Sequence, residues 1–306
     1  MRNPNEHLSM ETSDLETWST IIATVIPVFA IIGVGFIYGR WKSIPAEPIS
    51  DLLVWIMIPC LVLGSIGSKP LDLKEVGSIA TSALIIMAGC GLATWLLFFR
   101  SRFLRAALLP TMFMNSANMA FPLALLMFGE QGLSRQLIFY VAINLVHVTV
   151  GIWIARGKNG MKEVFRLPMV YAAALAIALA STGIILPETM VKSLNLVGQA
   201  TIPIMLLMLG IRLRTVRLFH LGPALLASLI RLLVGFGLGI FAVWLLGLHG
   251  YARDAVLLGS VMPAAVLNFI LSEKYKLEQE FVATTVVLST VLSFATTPLA
   301  LWLMVS

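Results

Sequence analysis

Ten apolar runs, most of them about twenty residues long, follow one another from residue 18 almost to the carboxyl end, separated by short charged or Pro/Gly-rich joints. A helix rises 1.5 Å per residue, so about twenty residues cross the ~30 Å hydrocarbon core of a bilayer. Hydrocarbon offers no partner for backbone N–H and C=O groups, so each run must satisfy its own as a helix. The predicted cores are 18–39, 49–67, 76–99, 105–128, 134–155, 167–186, 194–211, 219–247, 253–273 and 281–304. The expected fold is therefore all-α, a polytopic membrane protein of ten transmembrane helices. Composition agrees: 59% of residues are hydrophobic, 12% are charged, and the mean hydropathy is +0.94. The joints leave no room for a soluble domain.

The pI near 9.5 raises the question of nucleic acid. Here the basic residues lie in joints between apolar runs, with no basic patch interleaved with aromatics, so no nucleic-acid partner is expected. Of the 21 Lys and Arg residues, fourteen fall in alternate joints beginning with that between the first two spans. Six fall on the opposite side, and Arg231 sits inside a span. The excess predicts that both termini are non-cytoplasmic and that the joint 156–166 is a cytoplasmic loop. Residues 1–17 form a polar, mostly acidic tail, unlike the basic start of a cleavable signal, so the first span is expected to be retained in the plasma (bacterial inner) membrane. Cys60 and Cys90 lie in apolar runs without metal-ligand spacing, and read as free thiols. Neither a metal nor a cofactor is expected.

The chain also repeats itself weakly. Ile58-Pro59 in the second span matches Ile202-Pro203 in the seventh, Met114-Asn115 matches Met262-Pro263, and Trp153 matches Trp302. These matches divide the chain into five-helix halves, 18–155 and 167–306. An odd number of spans per half turns the second upside down relative to the first. Inverted repeats with interrupted helices at matching places point to a secondary transporter.

The interruptions are in the fourth and ninth spans. Residues 115–122 read Asn-Ser-Ala-Asn-Met-Ala-Phe-Pro between two apolar runs. Asn115 and Asn118 cost about a few kcal/mol each if left unpaired in hydrocarbon, and Pro122 conflicts with the carbonyl of Asn118. In the ninth span Pro263 frees the carbonyl of Gly259, and Asn268 follows five residues on. Broken helices at membrane depth survive only against protein or a wet cavity. If the two cross where they unwind, their half-helix amino ends offer partial positive charge to an anion such as a carboxylate. Asparagine orients that group without adding charge. The plainer reading is two proline kinks, with asparagines bonding across an interface. The expected substrate ligands are Asn115, Asn118, Pro122, Pro263 and Asn268.

Four other polar residues are candidates for coupling or support. His147 lies one turn beyond Asn144 on the same face of the fifth span, either as a proton carrier or as a neutral histidine bonded to a backbone carbonyl. Arg231 either attracts the anion or snorkels to the cytoplasmic face. Gln199 supports the site or packs at an interface. All four aspartates, Asp14, Asp51, Asp72 and Asp254, fall at or outside span ends, as do the glutamates. Coupling through protons is therefore favoured over a carboxylate-bound sodium. Glycines 33, 35 and 39, and 235, 237 and 239, give small faces for close helix contact.

No His-Glu-x-x-His helix, in-membrane aspartate pair or phosphate-binding loop is present, which argues against an intramembrane enzyme and an ATP-driven pump. A carrier for a small organic anion and a non-transporting membrane sensor remain as the competing functions.

Residues 115–129, NSANMAFPLALLMFG, and 262–275, MPAAVLNFILSEKY, resemble the crossover segments of the auxin efflux carrier family, which includes plant exporters and bacterial malonate-type carriers. The resemblance covers roughly residues 18–305. It implies a ten-helix carrier of two inverted repeats, split into scaffold and transport domains and similar in fold to bile acid:sodium symporters. It also implies elevator-like access, substrate at the crossing of helices 4 and 9, and a homodimer. By the same resemblance, Asn115 and the backbone around Pro263 hold the substrate carboxylate. Met114 and Asn268 stand where plant members have proline, and the long loop of the plant exporters is missing. A small mono- or dicarboxylate is therefore expected in place of an auxin-like aromatic acid.

Overall fold

The computed structural model describes residues 4–42, 44–67, 72–157, 165–182, 184, 186–214 and 217–305, with side chains described between Thr17 and Met304. Of the expected 1–17 tail, residues 1–3 lie outside the described residues, as do 158–164 of the expected 156–166 loop. Eleven helical elements follow in order: α1 (Pro4–Trp41), α2 (Ala46–Ile66), α3 (Leu73–Phe98), α4 (Leu104–Met112), α5 (Ala120–Arg156) and α6 (Pro168–Thr182). They continue with α7 (Glu188–Leu213), α8 (Leu221–Leu246), α9 (Gly250–Val261), α10 (Val266–Lys274) and α11 (Gln279–Val305). No strand forms among the described residues. Among the described residues seven helices are long and apolar enough to cross a membrane: α1 from Thr17, α2, α3, α5, α7, α8 and α11. Their outer faces carry many large aliphatic and aromatic side chains, Trp41 and Trp244 being 79% and 75% exposed, as a lipid-facing surface requires.

Local chemistry sets the helix ends. Asp72 caps α3, its Oδ1 accepting the Lys74 N–H at 2.9 Å. Gly157 and Gly247 end α5 and α8 with φ of 75° and 61°, the left-handed conformation that glycine adopts without a Cβ clash. Gly129 (φ 65°, ψ −163°) kinks α5, so that residues 120–128 continue the expected fourth span and the rest form the fifth. Three helices contain a wide π-type turn, at Leu53–Met57, His147–Gly151 and Ile230–Val234. Such turns shift the face a helix presents and cluster at functional positions.

Packing sorts the helices into two neighbourhoods. In one, α7 lies between α1 and α2, and α2 packs on α6. In the other, α3, α4, α5, α8, α9, α10 and α11 surround the two interrupted spans. Only some of the glycines serve close contact. A Cβ on Gly35 would run into the backbone of Leu207, and one on Gly39 would come within 3.3 Å of Ile211. Gly33 and Gly237 face open space, because residues two apart point to different sides of a helix. Two arginines brace the second neighbourhood in the same way. Arg105, near the start of α4, donates from Nε to the Ile154 carbonyl at the end of α5 (2.6 Å). Arg253, near the start of α9, donates to the Met304 carbonyl at the end of α11 (2.5 Å). Each cation answers the free carbonyls of a helix carboxyl end.

Candidate functional site

The two interruptions meet. Beyond Met112 the chain turns extended at Phe113 (φ −107°, ψ 104°), and Met114 forms an isolated antiparallel bridge with Ala264. Asn115 N–H donates to the Pro263 carbonyl at 2.7 Å, and Ala265 N–H to the Phe113 carbonyl at 3.0 Å. Each break thus satisfies part of the other's backbone, as unwound chain at membrane depth requires. Side chains complete the pairing. Asn268 Nδ2 donates to Phe113 O at 2.9 Å, Ser289 Oγ accepts from Ala264 N at 3.1 Å, and Gln136 Nε2 donates to Ser116 O at 3.3 Å.

A cavity of about 220 Å³ lies beside this crossing. One side is formed by Asn115–Asn118, the start of α10 and part of α5; the other comes from α2 and α7. Asn115 Oδ1 accepts the Asn118 N–H at 3.2 Å just ahead of α5. That contact fixes which end of the amide is oxygen. Nδ2 is then a committed donor, buried and without a partner. Tyr140, Asn144 and His147 rise from α5, with Asn144 Nδ2 donating to the Tyr140 hydroxyl at 2.9 Å. His147 stacks flat on Phe113 (4.2 Å between ring centres, 1° between planes), and its Nε2 has no partner. On the opposite wall Arg212 Nη2 donates to Ser50 Oγ at 2.6 Å. Among the described residues no carboxylate lines the cavity, where Arg212, itself in electrostatic contact with Glu273 of α10, supplies the one full charge, and α5 and α10 begin at the cavity's edge. The site is electrically suited to an anion.

The structure revises several expectations for single residues. The break precedes Pro122, which sits in the first turn of α5; its neighbours Phe121 and Leu123 donate to the carbonyls of Ala117 and Met119, and proline omits the corresponding bond to the Asn118 carbonyl. The Gly259 carbonyl, expected to be freed by Pro263, accepts the Met262 N–H at 3.3 Å. Pro263 belongs to the crossing through its own carbonyl. Asn268 is fully buried and does not border the cavity; its amide holds the backbone of the other break. Gln199 is exposed, away from the cavity. Arg231 neither snorkels nor reaches the cavity, because it is fully buried and bonded to backbone. The Nε2 of His147 is buried without a hydrogen-bond partner. Asn115, Asn118, Asn144 and His147 do gather on the cavity. The sequence reading missed Ser50, Gln136, Tyr140 and Arg212. Arg212 had a usable signal, a guanidinium inside the last turn of an apolar helix, but it was counted only among the charges that orient the chain.

A family model described as "Membrane transport protein" matches the chain twice, over residues 20–165 and 157–301. An uncharacterized transporter of Methanocaldococcus jannaschii is 26% identical over 299 residues, covering 91% of this chain and 96% of that protein. An uncharacterized transporter of Methanothermobacter thermautotrophicus is 24% identical over 295 residues, covering 90% and 96%. A Rhizobium meliloti protein named "Putative malonate transporter" is 25% identical over 310 residues, covering 90% and 93%.

Proposed function

This chain belongs to the membrane transport protein family, that of the auxin efflux carriers, and from that premise we propose that it is a secondary carrier of a small organic anion. It is a multi-pass membrane transporter and not an enzyme. The observation that carries the substrate class is the cavity beside the crossing. It is bordered by a committed amide donor, Asn115 Nδ2, and by Arg212, with no acid among its lining residues.

In the proposed mode a carboxylate lies against Asn115 and Asn118 at the start of α5, with Arg212 and Ser50 facing it from the other wall. The unpaired donor costs about 1–3 kcal/mol while buried alone, and a carboxylate oxygen removes that cost. A second carboxylate on the same molecule would reach toward Arg212, and the name of the Rhizobium meliloti relative is consistent with a dicarboxylate. The two neighbourhoods suggest the motion. The wall from α2 and α7 belongs to one, and the crossing to the other. Sliding the crossing along that wall would open the cavity to each face in turn, an elevator-like alternating access.

Ten spans in two inverted five-helix repeats, 18–155 and 167–306, fit this reading. The family model matches twice at near-equal lengths, and the Arg105 and Arg253 braces fill equivalent places. The bridge pairs Met114 with Ala264, near the position its repeat partner would hold. We assign both termini to the non-cytoplasmic side of the plasma membrane, and coupling to protons through His147. Purified protein in proteoliposomes should exchange labelled small mono- or dicarboxylates by counterflow, saturably and with mutual competition. A folded preparation that exchanges no carboxylate would refute the substrate class.

A further inference from the structure

Arg231 is fully buried in the π-type turn of α8, and it forms no ion pair among the described residues. Its two terminal nitrogens reach different helices. Nη1 donates to the Thr111 carbonyl in the last turn of α4 at 2.9 Å, and Nη2 to the Ser260 carbonyl in the last turn of α9 at 2.8 Å. These are the carboxyl ends of the half-helices that lead into the two breaks. Each such end carries about half a negative charge, so the pair balances about one guanidinium. Nε is buried without a partner, and two glycines leave room for the terminal nitrogens. A Cβ on Gly235, one turn further along α8, would collide with the guanidinium, and one on Gly239 would collide with the Ser260 side chain.

Half-helix carboxyl ends and unwound carbonyls are where carriers with broken helices hold a coupling sodium ion or proton. Here those ends already hold a cation that is tethered to the chain and keeps its proton. We propose that Arg231 is a resident counter-cation for the crossing. It is a positioning residue that takes the carbonyl site a coupling metal ion would need, so that transport runs without sodium. Removing the side chain then leaves a carbonyl-lined vacancy that takes up a small monovalent cation. The statement about transport rests on the carrier reading; the statement about the cation site does not.

The test uses the full-length protein with sodium, lithium, potassium or choline chloride at one ionic strength. Wild-type melting temperature and carboxylate counterflow should be the same in all four salts. Arg231→Ala should melt lower in choline and recover by several degrees in sodium or lithium, whereas Arg231→Lys should stay indifferent to the salt. A purely structural arginine would lower the melting temperature of Arg231→Ala equally in every salt, and that result overturns the proposal. So does wild-type counterflow or stability that rises with sodium. If Arg231→Ala yields no folded protein in any salt, the wild-type sodium comparison decides alone. Absence of counterflow with every carboxylate would count against the carrier reading, while the melting series would still decide the cation site.

Discussion

Replacing Asn115 by alanine removes an acceptor and a donor together, and the two losses should appear in different measurements. The acceptor is Oδ1, which takes the Asn118 N–H at 3.2 Å just before α5. A side-chain-to-backbone hydrogen bond of this kind is worth about 1 kcal/mol. In a chain of this size the lost acceptor alone would lower the melting temperature by about 2–4 °C. The donor is Nδ2, which has no partner without substrate, so its loss removes a buried unpaired group and offsets that fall in the empty protein. In the proposed complex it meets a carboxylate oxygen, a charge-assisted bond worth about 1.5–3 kcal/mol. Binding should therefore weaken about 10- to 150-fold, read as the half-saturation concentration in counterflow. Asn115→Asp separates the terms, since it keeps the acceptor and replaces the donor by a second negative charge. At about 4 Å and an effective dielectric near 20, the repulsion is about 4 kcal/mol, enough to abolish exchange in a protein that stays folded. Should folded Asn115→Ala exchange substrate with a half-saturation within about threefold of wild type, a difference under 1 kcal/mol, Asn115 does not hold the carboxylate.

Arg212→Gln should raise the half-saturation for dicarboxylates about tenfold or more while changing that for monocarboxylates less, because it removes the cavity's full charge; counterflow with a matched pair of acids measures the difference. His147→Gln should exchange substrate normally but lose stimulation of uptake by an inward proton gradient; retained stimulation removes His147 from coupling. Gly235→Ala forces the buried guanidinium aside and should cost about 1–3 kcal/mol, seen as a lowered melting temperature. Gly237→Ala, two residues on and facing open space, should melt like wild type.

The contrast between those two glycines shows what sequence can and cannot tell. Apolar length located the seven helices among the described residues that are long enough to cross a bilayer, because bilayer thickness sets that length. Asn115 and Pro263 located the breaks, because polar amides and proline are costly inside such runs. Neither signal says which side of a helix faces which neighbour. Asn268 and Asn118 look equivalent in sequence, yet one is fully buried holding Phe113 O and the other borders the cavity. Arg212 and Arg214 are two residues apart, and only Arg212 reaches the cavity; Arg214 donates to the Gly39 carbonyl on α1. The Ile230–Val234 turn turns Arg231 toward two helix ends, and no periodicity marks such a turn in advance.

The hydrogen bonds also bear on how such a site could move. Around the breaks, Asn115 N, Ala264 N, Ala265 N, Gln136 Nε2, Asn268 Nδ2 and the two terminal nitrogens of Arg231 bond within one helix neighbourhood. None of these bonds reaches α2 or α7, the opposite wall of the cavity. A carrier that opened by separating the two breaks would leave several backbone groups unpaired at membrane depth, each costing several kcal/mol. The proposed movement of the crossing as one piece past α2 and α7 breaks none of them; the bonds it would break are weak sulfur contacts between the two neighbourhoods, Thr24 Oγ1 to Met127 Sδ at 3.7 Å and Asn144 Nδ2 to Met169 Sδ at 3.4 Å. The bond that does span the other wall, Arg212 to Ser50, joins α7 to α2 and would likewise survive. The pairing pattern therefore favours sliding between two internally bonded bodies over a hinge at the unwound segments.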